Sequence, residues 1–203
     1  SRLYLPRLPS VVVALGGALG TPVYSTASRA LWSQTWGILL LGIAIHHIAS
    51  CSEGKRKLRP LFLATLLSWL FFVRPTFALP IVLVAAYVLW RHREHFHSLV
   101  LTGLAWIIGF LAYTRGLIGD WLPMYFSPAR LNITYLPTNL VGNLVSPSRG
   151  IFVFMPILVF VIYVFLRYRR RVTPAPLAAL AWVTAVGNLA LVSSLQEWWG
   201  GSA

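Results

Sequence analysis

The feature that most constrains this chain is a series of long apolar segments separated by clusters of arginine and lysine. Three of these segments, residues 31–48, 98–117 and 177–195, approach the roughly 20 residues that a helix needs to cross a hydrocarbon core of about 30 Å. The chain of 203 residues is 58% hydrophobic and only 10% charged, too little charge to cover the surface of a soluble domain. We therefore predict an integral membrane protein.

The predicted fold class is all-α: a polytopic transmembrane helical bundle with a short-helix hairpin and extracytoplasmic loops. Residues 1–203 are assigned to part of one transmembrane domain, and residues 118–150 to an extracytoplasmic loop. The predicted spans are 9–20, 31–48, 60–73, 76–90, 98–117, 151–166 and 177–195. The start at Ser1 and the end at Ala203 lead us to expect an internal fragment of a larger membrane protein.

The hairpin prediction rests on the distribution of basic residues. Segments 60–73 and 76–90 are each short, and Arg74-Pro75 separates them. If the two segments enter and leave the membrane on the same side, the large basic clusters all face the cytoplasm, as the positive-inside rule favours. These clusters are Arg2/Arg7, Lys55/Arg56/Lys57/Arg59, Arg91/Arg93 and Arg167/Arg169/Arg170/Arg171. Arg74 and Arg149 then lie on the extracytoplasmic side. A single kinked span would place the later clusters outside, which is the weaker alternative.

The net charge of +13 raises the question of nucleic acid. The basic residues alternate with apolar segments and form no stripe on a polar domain, a pattern typical of membrane-flanking charge. We therefore expect membrane lipids as partners and no nucleic acid. Cys51 is the single cysteine, so an internal disulfide and a thiolate metal cluster are both excluded.

Arg74 is the first candidate for anion binding, because an ionisable residue between two apolar helices is costly unless it is paired or hydrated. Pro75 begins the next helix, whose N-terminal N–H groups and positive dipole end favour anions, and a guanidinium matches a phosphate bidentately. The alternative interpretation is a hairpin tip whose side chain extends to the surface.

Arg149 precedes another apolar segment, in LVSPSRGIFVFMP. Ser146 or Ser148 is predicted to cap the helix that follows, and Gly150 to let the backbone approach a ligand closely. This predicts an anion site that includes Arg149 and Ser148. An ordinary interfacial arginine is the alternative.

Asp120 and Glu197 are the acids on the predicted outer side, and each adjoins tryptophan. Acid beside aromatic is a frequent arrangement for sugars, so Glu197 and Trp198 are substrate-binding candidates. A solvated acid beside interfacial aromatics is the favoured explanation. The histidines of RHREHFH, and His46 and His47, are interpreted as interfacial residues, and no metal site is predicted.

The segments GTPVYSTASRALW, VRPTFALP, LVSPSRGIFVFMP and the final EWWGGSA together resemble bacterial integral-membrane glycosyltransferases of the C-type superfamily. The similarity is greatest to the branch of the dolichyl-phosphate-mannose–protein mannosyltransferases, and the four segments occur in the same order across most of the chain.

This resemblance implies transfer of a sugar from a polyprenyl-phosphate-linked donor to a lipid, protein or polysaccharide acceptor on the extracytoplasmic side of a bacterial inner membrane. In this family a catalytic acid lies in the first outer loop, so the catalytic residue is unknown here and is expected upstream of Ser1. The fragment alone is expected to be inactive and to hold no cofactor; a divalent metal in the full-length protein is left open. Arg74 and Arg149 match family-like segments and are the predicted phosphate contacts.

The alternative function is a polytopic membrane transporter or flippase, because short paired helices broken at Arg-Pro also form midplane substrate sites. That function predicts inverted repeats and acidic residues within spans, and the sequence shows neither. A structural membrane subunit is a third possibility.

Overall fold

The computed structural model describes residues 6–19, 33–123, 132–147, 150–168 and 175–194. Every regular element within these ranges is helical, so the all-α prediction is confirmed for them. Short 3₁₀ turns lie at Pro75–Phe77, Arg93–His95 and Ile133–Tyr135. The α-helices are α1 (Arg7–Leu19), α2 (Ser33–Ser52), α3 (Pro60–Val73), α4 (Ala78–Arg91), α5 (Phe96–Ile118), α6 (Leu136–Val145), α7 (Ile151–Phe154), α8 (Ile157–Tyr168) and α9 (Ala175–Ser193).

Within the described residues, three stretches of helix are long and apolar enough to cross a membrane: Thr35–Ser52, Arg93–Ile118 and Pro176–Ser193. Large apolar side chains on these helices are exposed within the chain, and Leu101 and Ile108 of α5 are each 65% exposed. Water would make such faces costly, whereas lipid does not. The length and composition of these helices indicate a membrane protein.

The chain divides into two compact units, Trp36–Ala129 and a second one formed by Ser1–Thr35 with Arg130–Ala203. In the first unit, the end of α2 lies beside both ends of the α3–α4 pair. The Arg59 N–H at the start of α3 donates to His47 Nε2 at 3.1 Å, and Ser52 Oγ lies 3.5 Å from the Tyr87 hydroxyl of α4. A continuous helix would separate residues 59 and 87 by about 40 Å at 1.5 Å per residue. The contacts therefore show that α4 returns antiparallel to α3 as a helical hairpin.

The tip of this hairpin is the 3₁₀ turn Pro75–Phe77, and it lies beside the start of α2. A Cβ atom built on Gly37 would overlap the ring of Phe77, so the missing side chain makes the close approach possible. The tip is thus at the end of the first unit opposite the loop between α2 and α3.

Helix α5 packs on α3 and runs in the same direction. The Trp106 indole N–H donates to Thr65 Oγ1 at 3.0 Å, Trp69 meets Trp106 edge to face at 5.7 Å, and Phe72 stacks on Phe110 at 4.4 Å between ring centroids. Gly119 ends α5 in the left-handed conformation, with φ of 83°. An aromatic ladder therefore fixes the register of the two helices.

The second unit differs from the sequence prediction at residues 151–166, which were expected to form one span. The helix is interrupted at Met155-Pro156, between α7 and α8. Proline has no N–H and its ring clashes with the carbonyl four residues earlier, so a continuous helix is disfavoured there. Helix α8 has only 12 residues.

The predicted loop 118–150 also contains a helix, α6, which packs on α9. Asn143 Nδ2 donates to Ser193 Oγ at 3.0 Å, and the Asn132 N–H before α6 donates to the Ser194 carbonyl at 2.7 Å. These side-chain and backbone contacts give the segment an ordered position on α9.

Candidate functional site

Arg74 lies at the hairpin tip, where the sequence analysis placed it between two short helices. Its backbone is extended, with φ of −160° and ψ of 114°, and its N–H donates to the Leu70 carbonyl at 3.1 Å to end α3. The extended conformation follows from Pro75, which disfavours helical geometry in the preceding residue. The side chain is half-buried.

One hydrogen bond orients the guanidinium of Arg74. Its Nε donates to Thr76 Oγ1 at 3.1 Å, and its terminal nitrogens make no hydrogen bond with any described residue. Within the described part of the chain, no carboxylate lies within the 4.0 Å ion-pair distance of this group. With Nε engaged, the two terminal nitrogens remain as an end-on fork of the kind that binds two oxygens of a carboxylate or phosphate.

The start of α4 is less available to an anion than the sequence predicted. The Phe77 N–H donates to the Arg74 carbonyl at 3.1 Å, and the Ala78 N–H donates to the Pro75 carbonyl. Pro80 has no N–H. The 3₁₀ turn therefore consumes donors that the prediction assigned to a ligand, and the arginine side chain is the main anion-binding group at this tip.

The remaining substrate-binding candidates, Arg149, Ser148, Glu197 and Trp198, lie outside the described residues. Their placement relative to Arg74 stays a prediction.

The structure corrects the role predicted for Gly150. It is the N-cap of α7, with no side-chain capping hydrogen bond, and its N–H donates to the Ser146 carbonyl at 2.7 Å. A Cβ there would lie 2.6 Å from Ser146 N and 2.7 Å from the Val145 carbonyl carbon. The space that the sequence analysis reserved for a ligand is therefore occupied by the backbone at the end of α6.

The Asp120-Trp121 pair was considered for sugar recognition, and the structure gives Trp121 contacts within the chain. The Arg115 guanidinium lies over its ring, 5.7 Å from the centroid, and its carbonyl accepts the Thr114 hydroxyl at 2.7 Å. Arg115 also donates to the Gly119 carbonyl. Trp121 therefore packs against the C-terminal end of α5.

His92 and His95 share Glu94, whose carboxylate lies 3.4 Å from His92 Nδ1 and 3.8 Å from His95 Nε2. Among the described residues, no group of three or more His, Cys, Asp and Glu side chains is arranged to hold a metal ion. The arrangement is a cluster of polar side chains around the exposed Glu94 at the end of α4.

A basic pocket that was not predicted from the sequence lies at the opposite end of the first unit. This pocket is lined by His47, Arg56, Lys57, Arg59 and Phe62, and its volume is about 640 Å³. His47 was interpreted as an interfacial residue, but it is only 6% exposed and joins α2 to the start of α3. The sequence did contain a signal for this pocket. A histidine near the end of one helix is followed by a basic loop and then by a helix that begins with proline.

Together these features define a class: an all-helical protein with helices able to span a membrane and an arginine fork at the tip of a short-helix hairpin. Comparison with known protein families, with curated proteins and with solved structures finds no match to this chain.

Proposed function

We propose that this chain is part of a membrane glycosyltransferase that transfers a sugar from a polyprenyl-phosphate-linked donor to a lipid, protein or polysaccharide acceptor on the extracytoplasmic side. The observation that supports the proposal most is the arginine fork at Arg74, which Thr76 orients and which has no acidic partner among the described residues. The resemblance of four sequence segments to C-type glycosyltransferases also supports it, and one of these segments contains Arg74.

The chemistry gives such an arginine a specific role. An acceptor hydroxyl attacks the anomeric carbon, a new glycosidic C–O bond forms, and the C–O bond to the lipid phosphate breaks. The phosphate leaves with additional negative charge, and the hydroxyl proton passes to a base expected upstream of Ser1. A fixed guanidinium beside the leaving phosphate stabilises the charge that develops in the transition state.

The half-burial of Arg74 matters for this role. In a partly desolvated position, the attraction between a guanidinium and a phosphate is stronger than in bulk water. The predicted topology places the tip at the extracytoplasmic interface, where the phosphate of a polyprenyl donor would lie while its chain extends into the bilayer.

The test uses the full-length protein and measures transfer from a polyprenyl-phosphate sugar. We expect Arg74→Ala to lower the transfer rate roughly 100-fold, the size of the loss when one charge-stabilising donor is removed from an active site. Arg74→Lys should recover only part of the rate, because lysine retains the charge but has no fork.

Arg91→Ala is the matched control, because it removes an exposed arginine from the opposite end of the same hairpin. It should transfer at the wild-type rate. A wild-type rate in Arg74→Ala, or an equal loss in Arg91→Ala, would contradict the assignment of Arg74. Substrate uptake into liposomes without sugar transfer would instead favour a transporter.

A further inference from the structure

We propose that the basic pocket of His47, Arg56, Lys57, Arg59 and Phe62 binds the phosphate-bearing headgroup of an anionic membrane lipid. This inference does not rest on the proposed glycosyltransferase function. The pocket lies at the start of α3, and Arg74 ends that helix about 21 Å away at 1.5 Å per residue. The two sites are therefore separate.

The charge of the pocket is the first argument. Arg56, Lys57 and Arg59 line one concavity, and none of them has a carboxylate within ion-pair distance in the described part of the chain. Three cations that line one concavity repel one another, although water and salt weaken the repulsion between exposed groups. An anionic ligand removes this repulsion.

The second argument for a ligand is that contacts of His47 hold one side of the pocket in place. His47 Nε2 accepts the Arg59 N–H at 3.1 Å and lies 4.0 Å from Cys51 Sγ, and its ring packs edge to face against Phe62 at 5.6 Å. These contacts fix the backbone that precedes α3. The pocket is thus partly organised before a ligand arrives, which lowers the entropic cost of binding.

The third argument is the apolar side chain of Phe62 in the pocket lining, which favours a lipid over a free phosphate. Phe62 lines the pocket and is 45% exposed, and its neighbour Leu61 is 62% exposed at the start of α3. A surface that passes from cations to exposed apolar side chains matches a headgroup with an attached acyl chain. The volume of about 640 Å³ is within the usual range of small-molecule sites.

The predicted topology agrees with this ligand, because the loop between α2 and α3 is assigned to the cytoplasmic side. Basic pockets between membrane helices on that side are a recurrent means of binding anionic lipid headgroups. A nonspecific attraction between basic loops and an anionic membrane surface needs no pocket, so the experiment must separate the two.

The experiment is native mass spectrometry of the full chain in detergent, titrated separately with cardiolipin, phosphatidylcholine and inorganic phosphate. The adduct mass identifies which molecule is bound. We expect the chain to prefer cardiolipin, and Arg56→Gln/Lys57→Gln to weaken that binding about 10- to 30-fold, at about 1 kcal/mol for each basic residue. Both residues are exposed, so their replacement should leave the helices intact.

Arg91→Gln/Arg93→Gln is the matched control, since it also removes two exposed basic residues. It should bind cardiolipin within about twofold of the wild type, a difference below 0.5 kcal/mol. Phe62→Ala should weaken cardiolipin binding and leave any phosphate binding unchanged. The proposal is overturned if the two double variants lose affinity equally, if cardiolipin binds no better than phosphatidylcholine, or if inorganic phosphate binds as tightly as the lipid.

Discussion

At the scale of single residues, the hydrogen bond between Arg74 and Thr76 determines how the guanidinium is presented. Arginine has a long and flexible side chain, and fixing it before a ligand binds reduces the entropy lost on binding. Thr76 accepts through Oγ1 from Nε, which leaves the terminal nitrogens directed away from the bond. In the proposed site, Thr76 therefore acts as a positioning residue for Arg74.

Replacement of Thr76 by valine keeps the shape of the side chain and removes the acceptor. We expect Thr76→Val to lower sugar transfer about 2- to 10-fold, the equivalent of one hydrogen bond, and therefore less than Arg74→Ala does. Thr76→Ser keeps a hydroxyl and should restore most of the rate. If valine and serine reduce the rate equally, the hydroxyl has no role in orienting Arg74.

At the same scale, Gly150 permits a close approach between two segments of backbone. Alanine there would place its Cβ within 2.7 Å of atoms of Val145 and Ser146, so the backbone must move. We expect Gly150→Ala to reduce the free energy of unfolding by roughly 1–3 kcal/mol. Thermal unfolding in detergent measures this.

Gly109→Ala is the comparison, because a Cβ at Gly109 in α5 meets no atom within 4 Å. This variant should unfold at or slightly above the wild-type temperature, since alanine favours a helix over glycine. Equal midpoints for Gly150→Ala and Gly109→Ala would show that the approach of α7 to α6 is looser than described.

At the scale of the elements, the position of the hairpin tip depends on α2. Gly37 of α2 gives space to the ring of Phe77, which follows Arg74 in the tip. At the other end, His47 connects α2 to the start of α3. Helix α2 thus holds the hairpin at both ends.

Two glycines of α2 allow a direct comparison. Gly37→Ala places a methyl group against the Phe77 ring, and we expect it to lower the unfolding free energy by roughly 1–3 kcal/mol and to disturb Arg74. Gly42→Ala, where a Cβ meets nothing within 4 Å, should have neither effect. Unfolding midpoints and transfer rates measured on both variants test this, and indistinguishable values would contradict a role for this contact in stabilising the tip or positioning Arg74.

The elements also show which parts of the fold the sequence predicts. Apolar length predicted the helices at residues 60–73 and 98–117 closely, because these helices depend on local composition. The interruption at Pro156 was missed because the run of apolar residues is continuous there, although proline in a helix interior was a usable signal. Helix α6 was not predicted. Its position depends on contacts with α9, and a local sequence pattern does not show contacts between residues that are distant in the sequence.

The candidate site was predictable to a similar extent. The break between two short apolar segments identified Arg74, since a charge in an apolar context is conspicuous. Its partner Thr76 and the donors used by the 3₁₀ turn depend on the precise backbone conformation. The basic residues of the pocket were interpreted as membrane-flanking charge, because their order in the sequence does not reveal the contact between the buried His47 and the Arg59 backbone, or the cavity beside it.

At the scale of the whole molecule, the proposed enzyme and the proposed lipid site require the two ends of the first unit to face opposite sides of a membrane. The antiparallel arrangement of α3 and α4 separates Arg74 at the tip from the basic pocket at the start of α3. The proposed enzyme needs the first end outside, and the proposed lipid site suits the second end inside.

Cysteine accessibility in intact cells measures this arrangement most directly. On a Cys51→Ser background, single cysteines at positions 74, 149 and 57 are treated with a membrane-impermeant maleimide before and after the cells are permeabilised. We predict labelling of positions 74 and 149 in intact cells, and of position 57 only after permeabilisation. Labelling of 57 together with 74 in intact cells, or labelling of 149 only after permeabilisation, would contradict the account.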